Sequence, residues 1–416
     1  MLKIGGVSLG DLQKQYGTPL YVYDETKLRS RLQEFTENFR SDLFDTCVIY
    51  ASKAFNCKAM IRLVSEYGCG LDVVSGGEMY TALKAGFNPA KIYFHGNNKT
   101  PEEISMAIAN GIGTIILDNE MEADELIRQM EKTDSSVNVY LRINPGIEAH
   151  THQYIVTAHV DSKFGFSLLD EKTIADTVQR LTATEKINVC GLHAHIGSQI
   201  FDKQAYAELI RKMFRTAVHF NNDYGMHITD INLGGGFAAY YTDEDHPVPV
   251  QEVCETILQT CAEENTENMI RRVLIEPGRS IVAEAGYTLY TVGYLKKTPN
   301  RHYAFVDGGM SDNIRPALYQ AKYSAVIAGK EDLAPKETYT IAGKCCESGD
   351  ILIDSIDLPE IETGDILAMK TTGAYGYSMA SRYNKLPFAG VVFAKDGTSR
   401  EVIARETYDH MIALEK

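Results

Sequence analysis

Apolar positions along the chain fall into short runs at a regular step. Runs rich in β-branched or aromatic residues begin near Cys47, Cys69, Lys91 and Gly113, a spacing of 22 residues repeated three times. Between them lie segments with helical periodicity, at Ala59 to Tyr67, Gly77 to Ala85 and Glu102 to Asn110. The pattern predicts a β/α repeat. It continues with strands at Val137 to Ile143, Val189 to Ile196, Ile228 to Leu233 and Arg272 to Glu276, each preceded by an amphipathic stretch. Eight strand and helix units over roughly 230 residues suit a parallel (β/α)8 barrel of TIM type, whose active sites lie at the C-terminal ends of the strands. The competing doubly wound sheet lacks its Gly-x-Gly-x-x-Gly signature after the first strand.

After Glu284 the texture changes to short strands separated by turns. Tyr287 to Leu295, His302 to Val306, Thr338 to Ile341, Ile366 to Lys370 and Gly390 to Phe393 read as strands, with turns such as Lys297-Thr-Pro-Asn300 and Lys395-Asp-Gly397. This predicts a mostly antiparallel β domain. The expected division is a barrel over 26–280 and a β domain over 281–416, joined by the lead-in 1–25.

Composition narrows the partners. A formal charge of −15 over 416 residues disfavours nucleic acid. Eight cysteines show neither zinc spacing nor a compact disulfide framework, which points to free thiols in a reducing cytoplasm. The opening Met1-Leu-Lys-Ile-Gly-Gly6 lacks a signal-peptide core, and no run is long enough to span a bilayer, so a cytoplasmic location is expected.

The proposed barrel places polar residues at its strand ends: Lys53, Asp72, His95 with Asn97, Arg142 with Asn144, His193 with His195, Gly234-Gly-Gly236, and Glu276 with Arg279. Lys53 ends the apolar run Val48-Ile-Tyr-Ala-Ser-Lys-Ala54 and is expected where solvent is scarce. A lysine so placed is a candidate amine nucleophile toward an aldehyde. The glycine triplet is a candidate phosphate cradle, with Ser198 a second phosphate donor. His193 and His195, two apart on a strand, are expected on one face. One could stack on an aromatic ring while the other fills the barrel, or the two could form a metal pair. A carboxylate such as Glu276 can keep the ring nitrogen of pyridoxal phosphate protonated. An amine for the aldehyde, a glycine loop for the phosphate and an acid for the ring nitrogen cover that whole cofactor.

On these motifs the chain resembles the diaminopimelate decarboxylases, barrel-type (fold type III) pyridoxal-phosphate decarboxylases. The resemblance runs from Tyr50-Ala-Ser-Lys-Ala54 through Gly70-Leu-Asp-Val-Val-Ser-Gly-Gly-Glu78 and His193-Ala-His-Ile-Gly-Ser-Gln199. Three C-terminal motifs carry it further: Asp307 to Tyr319, Cys346-Glu-Ser-Gly-Asp350 and Gly373-Ala-Tyr-Gly-Tyr-Ser-Met379. It implies a homodimer with active sites at the subunit interface and no metal. Lys53 would bond the cofactor aldehyde and His195 would stack on the ring. Ser198, Gly235, Gly236, the segment Glu276, Pro277, Gly278 and Arg279, and Tyr375 would complete the cofactor site. Arg279, Arg315, Tyr319, Glu347 and Tyr375 match substrate-binding positions. Cys346 matches the proton donor, reaching in from the other subunit with Glu347. Leu386 and Phe388 stand where many relatives have arginine, and Cys345 is an extra thiol beside the donor.

The implied reaction is decarboxylation of meso-2,6-diaminopimelate to L-lysine and CO₂, the last step of lysine biosynthesis by that route. A paralogue acting on ornithine or a carboxylated polyamine is the nearest alternative. A metal-dependent barrel hydrolase built on His193 and His195, and a noncatalytic cofactor-binding homologue, are readings of other classes.

Overall fold

A computed structural model describes residues 2–147 and 162–416. They form two compact units, one of residues 32–238 and 247–278, the other of the chain up to Arg31 with 239–246 and 279–416.

In the first unit eight parallel strands follow one another around a closed sheet. They are Asp45–Ala51, Gly70–Val73, Ile92–Phe94, Thr114–Leu117, Val137–Asn144, Ile187–His193, Asp230–Asn232 and Arg272–Ile275. The eighth pairs back onto the first, with Ile275 beside Val48. These are the eight runs read from the sequence, and the architecture is the TIM-type barrel. The central residues of most strands are buried on both faces, which is why they read as continuous apolar runs rather than alternating ones. Short helices between them start on clear signals. Thr100 and Glu103 form a capping box, Ser75 caps the next helix back, and Gly86 ends that helix in a left-handed conformation. Inside the barrel Ile49, Tyr93, Ile116, Tyr140 and Leu274 form a packed cluster. The sixth strand accommodates Tyr140 only because Gly191 has no side chain, since a Cβ there would lie 2.4 Å from the Tyr140 ring.

The second unit is a mixed, mostly antiparallel sheet. Its long strand Gly286–Lys297 pairs antiparallel with Leu20–Asp24, His302–Val306 and Ile366–Lys370. Two pairings are parallel: His302–Val306 with Glu337–Ala342, and Leu20–Asp24 with Gly390–Lys395. The strands Ala325–Ile327, Ile351–Leu358 and Thr398–Ile403 complete it and were absent from the sequence reading. Thr398–Ile403 has no buried residue, so no apolar face announced it. No helix among the described residues is long and apolar enough to cross a membrane.

Candidate active site

The barrel strands converge on a buried acid. Glu276, the residue after the eighth strand, accepts a hydrogen bond from Asn232 Nδ2 at 2.7 Å through Oε1. His95 Nε2 lies 2.8 Å from the same oxygen, and His193 Nε2 lies 3.3 Å from Oε2. Burial alone would raise the carboxyl, yet the His95 and His193 imidazoles hold it well below its usual range, so Glu276 is ionised at neutral pH. Burial lowers His193 to about 4, so at neutral pH it acts on that carboxylate as a neutral imidazole, through its Nε2 hydrogen bond and not as a cation. The ligand atoms of His95, His193 and Glu276 lie within 4.8 Å of one another.

Around this cluster Asp72 is raised by burial, with its Oδ1 4.0 Å from His95 Nε2. Arg142 faces Asp118 at 3.7 Å and stacks over Phe164 at 4.3 Å. Asp72 Oδ1, Asp118 Oδ1 and His193 Nδ1 are all buried without a hydrogen-bond partner among the described residues. Orphaned buried polar atoms mark a place where a polar ligand completes the bonding. An ionised acid and these orphans at the strand ends fit a cofactor with a protonated ring nitrogen.

Three expectations need correction here. Lys53 is exposed rather than held out of solvent, because the first strand ends at Ala51 and Lys53 sits on a one-turn helix, Ser52–Ala54, whose other two residues are the buried ones. Its charge is nonetheless felt by Asp72, Glu78 and His195. His193 and His195 do not act as a same-face pair, since the strand stops at His193 and alternation stops with it. His193 joins His95 on Glu276, while His195 Nδ1 accepts the Gly235 N–H at 3.2 Å and is driven well below its usual value by burial and then by Lys53. That bond also revises the cradle. The Gly234 N–H goes to Asn232 Oδ1 at 3.0 Å and that of Gly235 to His195, so neither faces an anion. Glycine is required here for a different reason, because a Cβ on Gly235 would lie 2.4 Å from the Glu276 carbonyl oxygen.

The other unit gathers the remaining residues named from sequence. Arg279 and Arg315 are buried, and both guanidiniums lie over the Tyr375 ring, at 4.8 Å and 5.4 Å from its centroid. Arg315 also lies 5.2 Å from the Tyr319 ring. Tyr375 has φ of +60°, a left-handed conformation that non-glycine residues adopt at a cost and that concentrates at functional sites. Cys345 is buried and Cys346 is the exposed one of the eight cysteines, with Glu347 exposed beside it. The Pro277 carbonyl accepts the Ala51 N–H at 3.1 Å, and Gly278 packs too closely on Ala51 to carry a side chain.

Several residues went unread. Glu78 accepts the Val74 N–H at 2.8 Å and the Ser52 hydroxyl at 3.2 Å, and burial pushes it up to about 7. Tyr241 accepts a hydrogen bond from Arg279 at 2.7 Å and Tyr323 accepts one from Arg315 at 3.1 Å. Glu78 closes a motif quoted above but was given no role, Tyr323 lies just past another, and Tyr241 lies in a loop with no local signal.

Residues 25–283 match the family model described as pyridoxal-dependent decarboxylase, pyridoxal binding domain. The chain is 49% identical to the diaminopimelate decarboxylase of Bacillus subtilis, an alignment spanning 100% of this chain and 95% of that one. It is similar to the crystal structure of diaminopimelate decarboxylase from M. jannaschii in co-complex with L-lysine, with a TM-score of 0.91 and 34% identity over 98% of this chain and 94% of that one. The diaminopimelate decarboxylase of Helicobacter pylori complexed with L-lysine matches with a TM-score of 0.89 and 31% identity, covering 98% of both chains.

Proposed function

Since the chain belongs to the pyridoxal-dependent decarboxylases, on the diaminopimelate decarboxylase branch, we propose that it decarboxylates meso-2,6-diaminopimelate to L-lysine and CO₂ in lysine biosynthesis. The observation that carries this reading is Glu276, a carboxylate buried at the strand ends with Asn232, His95 and His193 within 3.3 Å. Pyridoxal phosphate, when bound, supplies an aldehyde for the substrate amine and a protonated ring that accepts the electron pair freed as CO₂ leaves.

The chain's residues divide the remaining work. When the cofactor is bound, Lys53 would be the residue that holds its aldehyde end. Glu276 keeps the proton on the ring nitrogen, and His95 and His193 keep Glu276 charged. His195 would support the ring face, while Ser198, Gly235, Gly236 and the segment from Pro277 to Arg279 would enclose the cofactor. Cys346 delivers the proton to Cα after CO₂ departs. At the unreacting end of the substrate Arg279 and Arg315 grip the carboxylate, with Tyr319 and Tyr375 packed on Arg315, and Glu347 pairs with the ammonium. Ornithine lacks that carboxylate and would leave a buried arginine unpaired, a loss on the order of 1–3 kcal/mol or more.

We take the working form to be a cytoplasmic homodimer in which Cys346 and Glu347 serve the partner's site. The exposure of both side chains and the absence of any disulfide support this. The test is CO₂ release from meso-diaminopimelate, ornithine, arginine and lysine, with the visible spectrum recorded alongside. Release from meso-diaminopimelate alone is expected, and release from ornithine in its place would transfer the protein to the ornithine-type branch.

A further inference from the structure

The two buried arginines of the second unit are held by two phenols that nothing in the motifs above assigns. Arg279 Nη1 donates to Tyr241 Oη at 2.7 Å and Arg315 Nε donates to Tyr323 Oη at 3.1 Å. The two tyrosine rings meet edge to face, with centroids 5.4 Å apart and planes at 80°. All four side chains are at most 7% exposed. Among the described residues the Arg315 guanidinium meets the Tyr323 hydroxyl and the rings of Tyr319 and Tyr375, and no carboxylate pairs with it. A buried guanidinium without a counter-ion offers its remaining N–H groups to a ligand carboxylate.

Both tyrosines are themselves pinned. Asp245 accepts the Tyr241 and Thr242 N–H groups at 3.1 Å and 2.9 Å, which closes the loop carrying Tyr241 into a tight turn. Ser324, next to Tyr323, donates to the Tyr241 carbonyl at 3.3 Å, and Lys322 bonds Glu244 at 2.7 Å. The loop 239–246 is thereby tied to the segment 322–324, and each phenol has a fixed position.

We propose that Tyr241 and Tyr323 are specificity-determining positioning residues: their hydroxyls set the two guanidiniums over Tyr375 in the spacing that selects a substrate with a carboxylate at its unreacting end. This deepens the proposed decarboxylation and rests on it. Each phenol takes one guanidinium N–H and so orients the remaining N–H groups, while the ring contact makes the two orientations depend on each other. A phenylalanine at either position keeps the packing and removes the orienting oxygen.

The test uses the holoenzyme with Tyr241→Phe, Tyr323→Phe and the double variant. KM for meso-diaminopimelate is expected to rise about tenfold in each single variant, the loss of one hydrogen bond to a charged group, with the loss falling on KM rather than kcat. Competitive inhibition by L-lysine, which keeps the carboxylate of the unreacting end, should weaken by a similar factor, and inhibition by cadaverine, the same diamine without that carboxylate, should not. Unchanged KM in folded variants, or equal weakening of both inhibitors, overturns the assignment while leaving the decarboxylase reading intact. A wild-type enzyme that turns over ornithine and releases no CO₂ from meso-diaminopimelate removes both.

Discussion

Asn384 Oδ1 accepts the backbone N–H of Cys346 at 2.6 Å, and Asp350 Oδ2 accepts the N–H of the preceding Cys345 at 2.7 Å. Two consecutive amides are thus held by side-chain acceptors, which fixes one thiol in the interior and presents the other outward. Tyr383 adds a hydroxyl on Glu347 Oε2 at 3.3 Å. Asn384 has φ of +53° and ψ of +24°, a left-handed conformation that asparagine tolerates and glycine adopts freely. Asn384→Gly therefore keeps the backbone and removes the acceptor, whereas Asn384→Asp keeps an acceptor. We expect kcat to fall about tenfold in the glycine variant and less than about threefold in the aspartate variant. Steady-state kinetics with equal kcat in both would remove Asn384 from any role in aiming Cys346.

Lys53 and Cys346 are assigned to separable tasks, and substitution should separate them. Lys53→Ala is expected to abolish the visible absorbance of the bound cofactor imine and, with it, CO₂ release. Cys346→Ala should keep that absorbance and slow turnover by about a hundredfold or more, the usual scale for losing a positioned acid. Absorption spectra and CO₂ assays on the same preparations check both. Full turnover by Lys53→Ala would exclude the assignment.

The barrel was legible because its strands are short, buried on both faces and evenly spaced, so that the apolar runs near Cys47, Cys69, Lys91 and Gly113 announced themselves. The edge strand Thr398–Ile403 was not, since an unburied strand carries no apolar code. At the site, Glu276 and its motif were readable, while the histidines that hold its charge came from strands far apart in sequence. His193 and His195 were misjudged because alternation holds only inside a strand, and the strand ends between them. Tyr241 reaches Arg279 across 38 residues of chain, a contact without any local pattern.

A buried ion pair braces the strand-end loop that carries His95. Lys99 Nζ donates to the carbonyls of Gly96 at 2.8 Å and Ile116 at 2.6 Å, and to Glu122 Oε2 at 3.0 Å. Glu122 also accepts the N–H groups of Lys99 and Asp118, each at 3.0 Å. Lys99→Met fills the same space and leaves the Glu122 charge buried without its cation, which costs about 3–5 kcal/mol. Urea unfolding should show that loss, and Lys99→Met combined with Glu122→Gln should recover part of it. A change below about 1 kcal/mol in the single variant would show the pair to be dispensable.

His193 gives the protein a specific acid sensitivity. Burial lowers it from 6.5 to about 4, so between these values the unfolded chain binds a proton that the folded chain does not. The stabilisation from its neutral form is complete above about pH 6.5 and is lost as pH falls toward 4, a gap worth roughly 3 kcal/mol at about 1.4 kcal/mol per pH unit. Glu78 and Asp312, both pushed up to about 7 by burial, work in the opposite sense, favouring the folded state as pH falls below 7. Glu276, held low by its two histidines, loses its contribution only at still lower pH. The informative quantity is therefore the difference between wild type and His193→Gln in urea midpoint from pH 8 to pH 4. The variant should be less stable than wild type at pH 8, and the difference should shrink as the pH approaches 4. A constant difference across that range would mean that His193 takes up its proton in the folded protein as readily as in the unfolded chain.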